Sequence, residues 1–565
     1  MNPSLPLPRT PGRRFGWQWA LLGPLLLAAP NARSAESGAE PSHGFGTFDW
    51  TVVVIYVIAL VVIGLASSRK QHTTEEYFLA SRSMRPFLVG ISLFSALFSM
   101  ISYIGTPGEY IQFGPILSVA VAVAIIPFVQ IAVGRWFIPV VMSLPITSAY
   151  ELLETRLGRS TRKLGSITYI VTRLIWMALI LYTGSTILTS VTGCTPPQGQ
   201  MFMVGVGLLT TLYTLFGGIR TVMITEVIQF CMMLLGALLT IVSITIKTGG
   251  VAAWWPTHWE AHWPKQPLFS FDPHVRVTII GAFITYTIAY IASGTSDQAS
   301  IQRFLTTRDA KAARRTFLLN NLANGVISVI LGMVGAALIT FFHRHPEAIP
   351  PGHTFQNSGD QFFPYYVSHF LPAGIAGLVV ASLLSASMSC LSSGTNSVLT
   401  VIMTDFVGTT KAAAGRSEAK KLRITRWLAL VIGLIAIGAS LAMVYVKGDL
   451  FEVTNKTVNL LVCPVFGLFV LALFVKFSTP FGALMGTVYS VTTAILIGYW
   501  DVLTGAAPIS FLFIMPFSLV VSVGAGCLFS LAPTRGRSPP VLVAWTAGAL
   551  LLLLLLVCWL LRVAA

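Results

Sequence analysis

Long apolar segments separated by short polar loops run along nearly the whole chain. About fourteen of them are long enough to cross the roughly 30 Å hydrocarbon core of a bilayer as helices. They lie near 50–67, 87–112, 115–142, 164–191, 200–217, 221–246, 274–298, 317–343, 373–404, 424–446, 457–475, 481–500, 507–531 and 541–562. Because the polar segments between them are too short for a soluble domain, the pattern predicts one all-α polytopic membrane protein.

Three of these spans depart from a plain apolar helix. Polar and helix-breaking residues interrupt 87–113 and 277–298, and serine is dense in 381–405. Backbone polar groups in hydrocarbon must be satisfied internally, so an interrupted helix persists there only around a cavity or a ligand site. A second interpretation is that Gly and Ser only permit close helix packing. The first interpretation predicts a transporter with an ion and solute site at mid-membrane.

Composition and charge agree with a membrane protein. The 565 residues are 55% hydrophobic and only 10% charged, which excludes an ordinary soluble domain. The net charge of +16 does not indicate nucleic-acid binding, because the basic residues cluster in alternate loops. The clustered residues are Arg69, Lys70, Arg82, Arg85, Arg156, Arg159, Arg162, Lys163, Arg303, Arg308, Lys311, Arg314, Arg315, Lys411, Arg416, Lys420, Lys421 and Arg423. The positive-inside rule places these loops in the cytoplasm, and with fourteen spans both termini lie outside.

The first 35 residues have the features of an export signal. Arg9, Arg13 and Arg14 precede a short apolar stretch at 17–29, and small residues at 32–35 offer a cleavage site. The segment is too short to span a membrane, so we expect a signal peptide at 1–35, with an uncleaved amphipathic tail as the alternative. Export of the N-terminus suits a bacterial inner-membrane protein.

Several short motifs follow one another in a recognisable order. They are EYFLASRSM at 76–84, GTPGEY at 105–110, TSAYELLETR at 147–156, GGIR at 217–220, TEVIQ at 225–229, DQ at 297–298, QRFL at 302–305, SCLSS at 389–393, NS at 396–397 and TDF at 404–406. Each motif is weak alone. In this order and spacing, the stretch 50–480 resembles the sodium:solute symporter family of sodium-coupled sugar, proline, iodide and monocarboxylate carriers.

The resemblance implies the inverted-repeat fold of the bacterial leucine transporter and sodium-coupled symport by alternating access. The two halves would be 86–246 and 274–476. The peripheral helices would be 50–67 at the N-terminal side and 481–562 at the C-terminal side. The two interrupted spans would then be the first helix of each half. The partners implied are sodium, a small solute and the lipid bilayer, and no cofactor is expected.

The serine-dense span carries the prediction of a sodium site. Ala386, Ser389 and Cys390 are spaced i, i+3, i+4 and so share one helix face. Family resemblance implies that sodium is bound by the carbonyls of Ser95, Phe98 and Ala386, the hydroxyl of Ser389, and residue 390. Position 390 is usually Ser or Thr in the family, and a neutral thiol is a poor ligand for a hard cation. Three alternatives follow from a cysteine at this position. Four oxygens suffice to bind sodium, a water molecule completes the coordination shell, or the coupling of sodium to solute transport is weakened.

Glu226 is an acidic residue near the end of the sixth span, where a carboxylate indicates function by default. Family resemblance places it at a position where many members carry Asp, facing Ser392 and Ser393. In some members this cluster binds a second sodium, and in others the carboxylate supports the first site. The remaining alternative is an interfacial acid that bonds nearby backbone.

Asp297 and Arg303 lie close together in the sequence, where the seventh span is predicted to leave the membrane. We interpret them as members of ion pairs that act as a gate or anchor a loop, rather than as substrate contacts.

The solute is the least defined part of the prediction. Residues 121–124 are apolar where sugar-carrying relatives have a Glu, and a polyol needs many fixed polar groups. The GTPGEY turn resembles that of the iodide, monocarboxylate and vitamin branch, so a small organic anion is favoured over sugar, sialic-acid-like or amino-acid substrates. Candidate lining residues are Ser99, Ser102, Tyr103, Tyr286, Tyr290, Ser293 and Asn459.

Two other classes of function were weighed against transport. A transporter-derived solute sensor without coupled flux is the alternative class, and no signalling domain is appended to the chain. A membrane enzyme is disfavoured, because no catalytic cluster of His, Asp, Glu or Cys lies at membrane depth.

Overall fold

The computed structural model describes residues 45–67, 73–409, 417–443 and 450–531, without the side chains of 450–459 and 461. The predicted signal peptide at 1–35 and the last predicted span at 541–562 lie outside the described residues. All regular elements in the described ranges are helical. This agrees with the all-α class predicted from the apolar pattern.

The helices follow one another with short connections. The first ten are α1 Thr47–Ser67, α2 Thr74–Leu79, α3 Pro86–Leu97, α4 Met100–Phe113, α5 Ala122–Ala124, α6 Ile126–Val129, α7 Ile138–Met142, α8 Glu151–Thr192, α9 Pro196–Thr248 and α10 Val251–Trp254. The others are α11 Ile279–Thr295, α12 Gln298–Leu305, α13 Ala310–Arg344, α14 Gly359–Phe370, α15 Ile375–Val401, α16 Glu418–Ala442, α17 Leu450–Phe474, α18 Pro480–Gly498, α19 Trp500–Thr504 and α20 Ile514–Ser530. Short 3-10 or π-helical turns extend several of them, including Ile402–Val407 after α15.

Within the described residues, 8 helices are long and apolar enough to cross a membrane, or up to 11 if each bent pair is one span. The predicted fifth and sixth spans are both contained in the 53-residue α9. Gly218, with φ 55° and ψ −170°, interrupts that helix in a conformation that favours glycine. The total of about 14 spans, to which the length rule of a bilayer leads, therefore remains a prediction.

The second span is broken, as predicted. Helices α3 and α4 meet at an angle of 72°. The backbone of Phe98 is extended, and the Ser99 side chain then caps α4 by accepting a hydrogen bond from the Ser102 N–H at 3.2 Å. A serine at this position starts a new helix because its oxygen satisfies an N–H that the first turn leaves unpaired.

The seventh span is broken as well, with 51° between α11 and α12. Asp297 lies at this break, where its Oδ1 caps α12 by accepting from the Ala299 N–H at 2.7 Å. The sequence interpretation placed Asp297 and Arg303 at the exit of the span, and this placement is wrong. The chain continues past Asp297 as α12, and Arg303 is a fully buried residue of that helix.

The serine-dense span forms the centre of the molecule. In α15 every residue from 379 to 401 is buried, and the helix contacts α1, α3, α4, α8, α9 and α16. Small side chains allow these neighbours to approach closely. Asp49 of α1 caps the start of α15, because its Oδ1 accepts from the N–H groups of Gly374 at 2.7 Å and Gly377 at 2.8 Å. The position of α15 brings Ser389 against the break of the second span, and the helix also contacts α12, which follows the break of the seventh span.

Candidate functional site

The five groups predicted to bind sodium lie together at the break of the second span. Ser389 Oγ donates to the carbonyl of Ser95 at 2.8 Å and to that of Ala386 at 3.0 Å. Cys390 Sγ lies 3.4 Å from the carbonyl oxygen of Phe98. The end of α3 leaves carbonyls without intrahelical partners, and the two side chains of α15 face these carbonyls. The site therefore offers four oxygens and one sulfur, all buried.

Ser95 is itself held in place by the segment that contains Glu226. Its hydroxyl donates to the backbone carbonyl of Glu226 at 2.9 Å. Ser95 thus contacts α9 through its side chain and α15 through its carbonyl oxygen. A shift of the Glu226 segment would move a predicted sodium ligand.

The Glu226 side chain forms a closed ion pair with Arg303. The guanidinium Nη2 lies 2.7 Å and 2.8 Å from the two carboxylate oxygens, and Ser92 Oγ also donates to the carboxylate. The other guanidinium nitrogens of Arg303 donate to Ser92 Oγ at 2.9 Å and to the Ala299 carbonyl at 3.0 Å. Both charged side chains are almost fully buried, at 0% and 1% exposure. The carboxylate is therefore neutralised by a permanent cation.

Ser392 and Ser393 were expected to face Glu226, but the carboxylate is bonded by Ser92 and Arg303 instead. Ser392 Oγ donates to the Ser389 carbonyl at 3.1 Å. Ser393 Oγ is buried and has no hydrogen-bond partner within the described residues. The physical reason is that Arg303 belongs to the buried α12, and its guanidinium occupies the hydrogen-bonding positions of the carboxylate.

A cavity of about 320 Å³ lies between the two broken spans. Four of the predicted lining residues border it: Ser102, Tyr286, Tyr290 and Ser293. Ser99 and Tyr103 do not, because Ser99 caps α4 and the Tyr103 hydroxyl donates to the Met233 carbonyl of α9 at 2.9 Å. The side chain of Asn459 lies outside the described residues. Polar residues that were not predicted to line the cavity are Thr106, Glu109, Ser118, Tyr169, Thr172, Arg173, Ser296, Asp297, Ser300, Asn320, Asn324 and Ser328.

Arg173 of α8 is the most informative residue that the sequence interpretation missed. It lines the cavity and is only 6% exposed. Its Nη2 donates to the Ala96 carbonyl at 3.2 Å, and its Nη1 lies 3.7 Å from Asp297 Oδ2. Its Nε has no hydrogen-bond partner within the described part of the chain. Arg173 is the single charged residue in the predicted span 164–191, and the rule for intramembrane charges would have identified it.

A second ion pair borders the cavity. Glu109 lines the cavity and accepts two hydrogen bonds from Arg276, at 2.8 Å each. The guanidinium carbon of Arg276 lies 3.5 Å from the ring centre of Phe113. This pair joins α4, the second helix of one broken span, to the segment before α11, the first helix of the other. The GTPGEY motif contains Glu109, but nothing in the sequence pattern pointed to Arg276.

Comparison with known proteins identifies sodium-coupled carriers as relatives of this chain. The model of the sodium:solute symporter family matches residues 77–489. The chain is 28% identical to the sodium/sialic acid symporter of Aliivibrio fischeri, over 80% of this chain and 88% of that protein. It is 28% identical to the sodium-dependent multivitamin transporter of Oryctolagus cuniculus, over 85% and 75%, and 26% identical to the human sodium-coupled monocarboxylate transporter 1, over 81% and 75%.

A solved structure of a Na⁺-coupled sialic acid symporter, in a substrate-bound outward-open state, is also similar. It superimposes with a TM-score of 0.72 at 26% identity, covering 87% of this chain and 100% of that chain. The predicted all-α, leucine-transporter-like class is thereby confirmed. The prediction of a multi-pass membrane carrier, rather than an enzyme, is also confirmed, as are sodium and a small solute as its partners. The chain belongs to the sodium:solute symporter family.

Proposed function

We propose that this chain is a sodium-coupled importer of a small organic anion, whose carboxylate binds Arg173. One observation carries this proposal: a buried guanidinium lines the central cavity with an Nε that has no partner within the described residues. A buried cation without close partners is costly, and a planar carboxylate matches its donor geometry. The names of several relatives support the same class, because sialic acid, monocarboxylates and iodide are all anions.

For sodium we propose the carbonyl oxygens of Ser95, Phe98 and Ala386 and the hydroxyl of Ser389. These are hard, buried oxygens beside a helix break. Carbonyl groups at the end of a helix have no intrahelical hydrogen-bond partner, so they can bind a cation. Cys390 completes the fifth position only weakly, because a neutral thiol is a poor partner for a hard cation. The Ser389 hydroxyl, which now donates to two carbonyls, would turn its lone pairs towards the ion.

Glu226 supports this site rather than holding a second sodium. Its carboxylate is paired with Arg303 at 2.7–2.8 Å, and its backbone carbonyl anchors the Ser95 hydroxyl. A cation added beside Arg303 would meet a guanidinium at the same oxygens. The ratio of labelled sodium to labelled solute taken up by proteoliposomes distinguishes the two roles. We expect one sodium per solute, and a ratio of two that falls to one in an active Glu226→Gln variant would contradict the support role.

The alternative solutes are a neutral sugar or an amino acid, and the alternative class is a sensor without flux. Proteoliposomes containing the purified chain should accumulate labelled sialic acid or lactate against a gradient when sodium is present outside. Glucose and proline serve as neutral and zwitterionic controls. Accumulation of glucose but of neither acid would overturn the anion proposal, and binding without accumulation would indicate the sensor.

We place the protein in a bacterial inner membrane with the basic loops in the cytoplasm and both termini outside. The bacterial sialic acid symporters among its relatives support this location. A cysteine introduced at Lys420 should react with an impermeant thiol reagent only from the inside, and one at Trp259 only from the outside. The opposite labelling would reverse the topology.

A further inference from the structure

The break of the seventh span is attached to α8 and to the loop before it. Tyr150 donates to the Ser296 carbonyl at 3.1 Å. The Tyr169 hydroxyl donates to Ser397 Oγ at 2.8 Å and also lies 3.3 Å from Asp297 Oδ1. Arg173 approaches the other carboxylate oxygen of Asp297 at 3.7 Å. Three side chains of one segment therefore meet the two residues at which α11 ends and α12 begins.

The contact between Arg173 and Asp297 is a loose one. At 3.7 Å it keeps Coulomb attraction but lies outside hydrogen-bond distance. Asp297 Oδ1 is already engaged by the Ala299 N–H and by Tyr169, so only Oδ2 is directed at the guanidinium. A free carboxylate that forms two charge-assisted hydrogen bonds of about 2.8 Å would bind the same guanidinium more strongly.

The two residues also border the same cavity. Asp297 has 20% of its side chain exposed, and Arg173 has 7%. A solute carboxylate that binds Arg173 in this cavity comes close to Asp297, because the two side chains border the same cavity and lie 3.7 Å apart. Two carboxylates competing for one guanidinium repel each other, and the repulsion is large where water is sparse.

We propose that Asp297 is the resident counter-ion of Arg173 and that the carboxylate of the solute displaces it. This inference rests on the proposed function, because it assumes that Arg173 binds the solute. Displacement removes the charged contact between the seventh-span break and α8, so solute binding loosens the break on that side. The hydrogen bonds that join Ser296 and Gln298 to the loop before α8 remain. The same guanidinium donates to the Ala96 carbonyl, between the sodium ligands Ser95 and Phe98. Asp297 is thus a positioning residue that joins solute binding to movement.

The test compares solute affinity and transport in Asp297→Asn and wild-type protein in proteoliposomes, with labelled sialic acid and lactate as probes at saturating sodium. Asparagine also caps helices, so α12 keeps its first turn. We expect the dissociation constant of the acid that binds to fall about fivefold to tenfold, because the competitor is neutral. We also expect the maximal rate to fall, because the break no longer returns to its attached position. Asp297→Glu, which retains the charge, should restore both values towards wild type.

A matched control separates charge from mere contact. Tyr169→Phe removes a neutral contact to the same carboxylate, together with the hydrogen bond to Ser397 Oγ, and should change affinity less than twofold. Thermal unfolding in detergent, with and without sodium, checks that each variant is folded. If Arg173→Gln abolishes binding while Asp297→Asn binds the acid equally or more weakly, the counter-ion inference is overturned and the proposed function stands. If wild-type protein binds neither acid, both are overturned.

Discussion

Two buried arginines lie close to the two helix breaks, and their surroundings differ sharply. Arg303 has partners within 3.0 Å at Nε, Nη1 and Nη2, including both oxygens of Glu226. Arg173 has one hydrogen bond at 3.2 Å, one distant carboxylate at 3.7 Å, and an Nε without a partner in the described chain. A saturated buried pair fixes the structure, whereas a poorly satisfied one attracts a ligand. Both arginines are buried, so only their hydrogen-bond partners distinguish a structural role from a binding role.

The largest expected effect is the loss of stability when Arg303 is substituted. Arg303→Gln leaves the Glu226 carboxylate buried without a cation, and we expect a loss of about 3–5 kcal/mol in the free energy of unfolding. The melting temperature of purified protein measures this loss. Combining Arg303→Gln with Glu226→Gln should recover most of the lost stability, because the double variant leaves neither charge of the pair buried. Arg308→Gln is the matched control: its pair with Asp309 is exposed, so no measurable change is expected. A single variant as stable as wild type would contradict the structural role.

At Arg173 the expected effect is on binding rather than on folding. Arg173→Gln should weaken the binding of the transported acid about a hundredfold, or about 2.8 kcal/mol, because a charge-assisted pair is lost. Its melting temperature should change much less than that of Arg303→Gln. Arg173→Lys should fall between, since an ammonium keeps the charge but not the planar fork. Uptake of the acid by Arg173→Gln at the wild-type rate would refute the role given to this residue.

The sodium site gives the next largest effect. Ser389→Ala removes one of only four oxygens, and we expect sodium affinity to fall at least tenfold, which is about 1.4 kcal/mol. The sodium dependence of uptake measures it. Ser387→Ala is the control, because this buried serine of the same helix contacts Met100 Sδ at 3.3 Å and none of the proposed ligands. Equal sodium dependence in both variants would rule out the site.

The smallest effect is expected at Cys390. Cys390→Ser replaces a weak sulfur ligand by a hard oxygen, so sodium affinity should stay the same or rise about threefold, or roughly 0.7 kcal/mol. Cys390→Ala tests whether the thiol contributes anything at all. A loss of affinity in the serine variant would mean that the thiol has a role that its hardness does not explain.

The fold class and the grouping of the proposed sodium ligands could be predicted from the sequence. The helical pattern is local, and so is the spacing of the side chains on α15. The breaks in the second and seventh spans coincide with Ser99 and Asp297, whose side chains cap the helices that follow. Ala386, Ser389 and Cys390 share a face by spacing alone. The carbonyl ligands followed from family resemblance rather than from pattern.

The partners of the charged residues could not be predicted in the same way. Arg303 was assigned to a loop because basic residues cluster there, and only the bend between α11 and α12 brings it under Glu226. Arg276 reaches Glu109 across 167 positions of the chain, which no local pattern encodes. Ser99 and Tyr103 were expected in the cavity because they are polar, but their oxygens serve the backbone instead.

The closed pair of Glu226 and Arg303 has a consequence for bioenergetics. A carrier that moves one sodium with one monoanion moves no net charge, so it does not use the membrane voltage, which is worth roughly 2.3 kcal/mol per charge at 100 mV. Only the concentration gradient of sodium then drives uptake, and a tenfold gradient, about 1.4 kcal/mol, sustains about tenfold accumulation. Such a carrier would keep working in a depolarised cell and would stop when the sodium gradient collapses. By holding the carboxylate of Glu226 closed to a second ion, Arg303 would select this electroneutral mode.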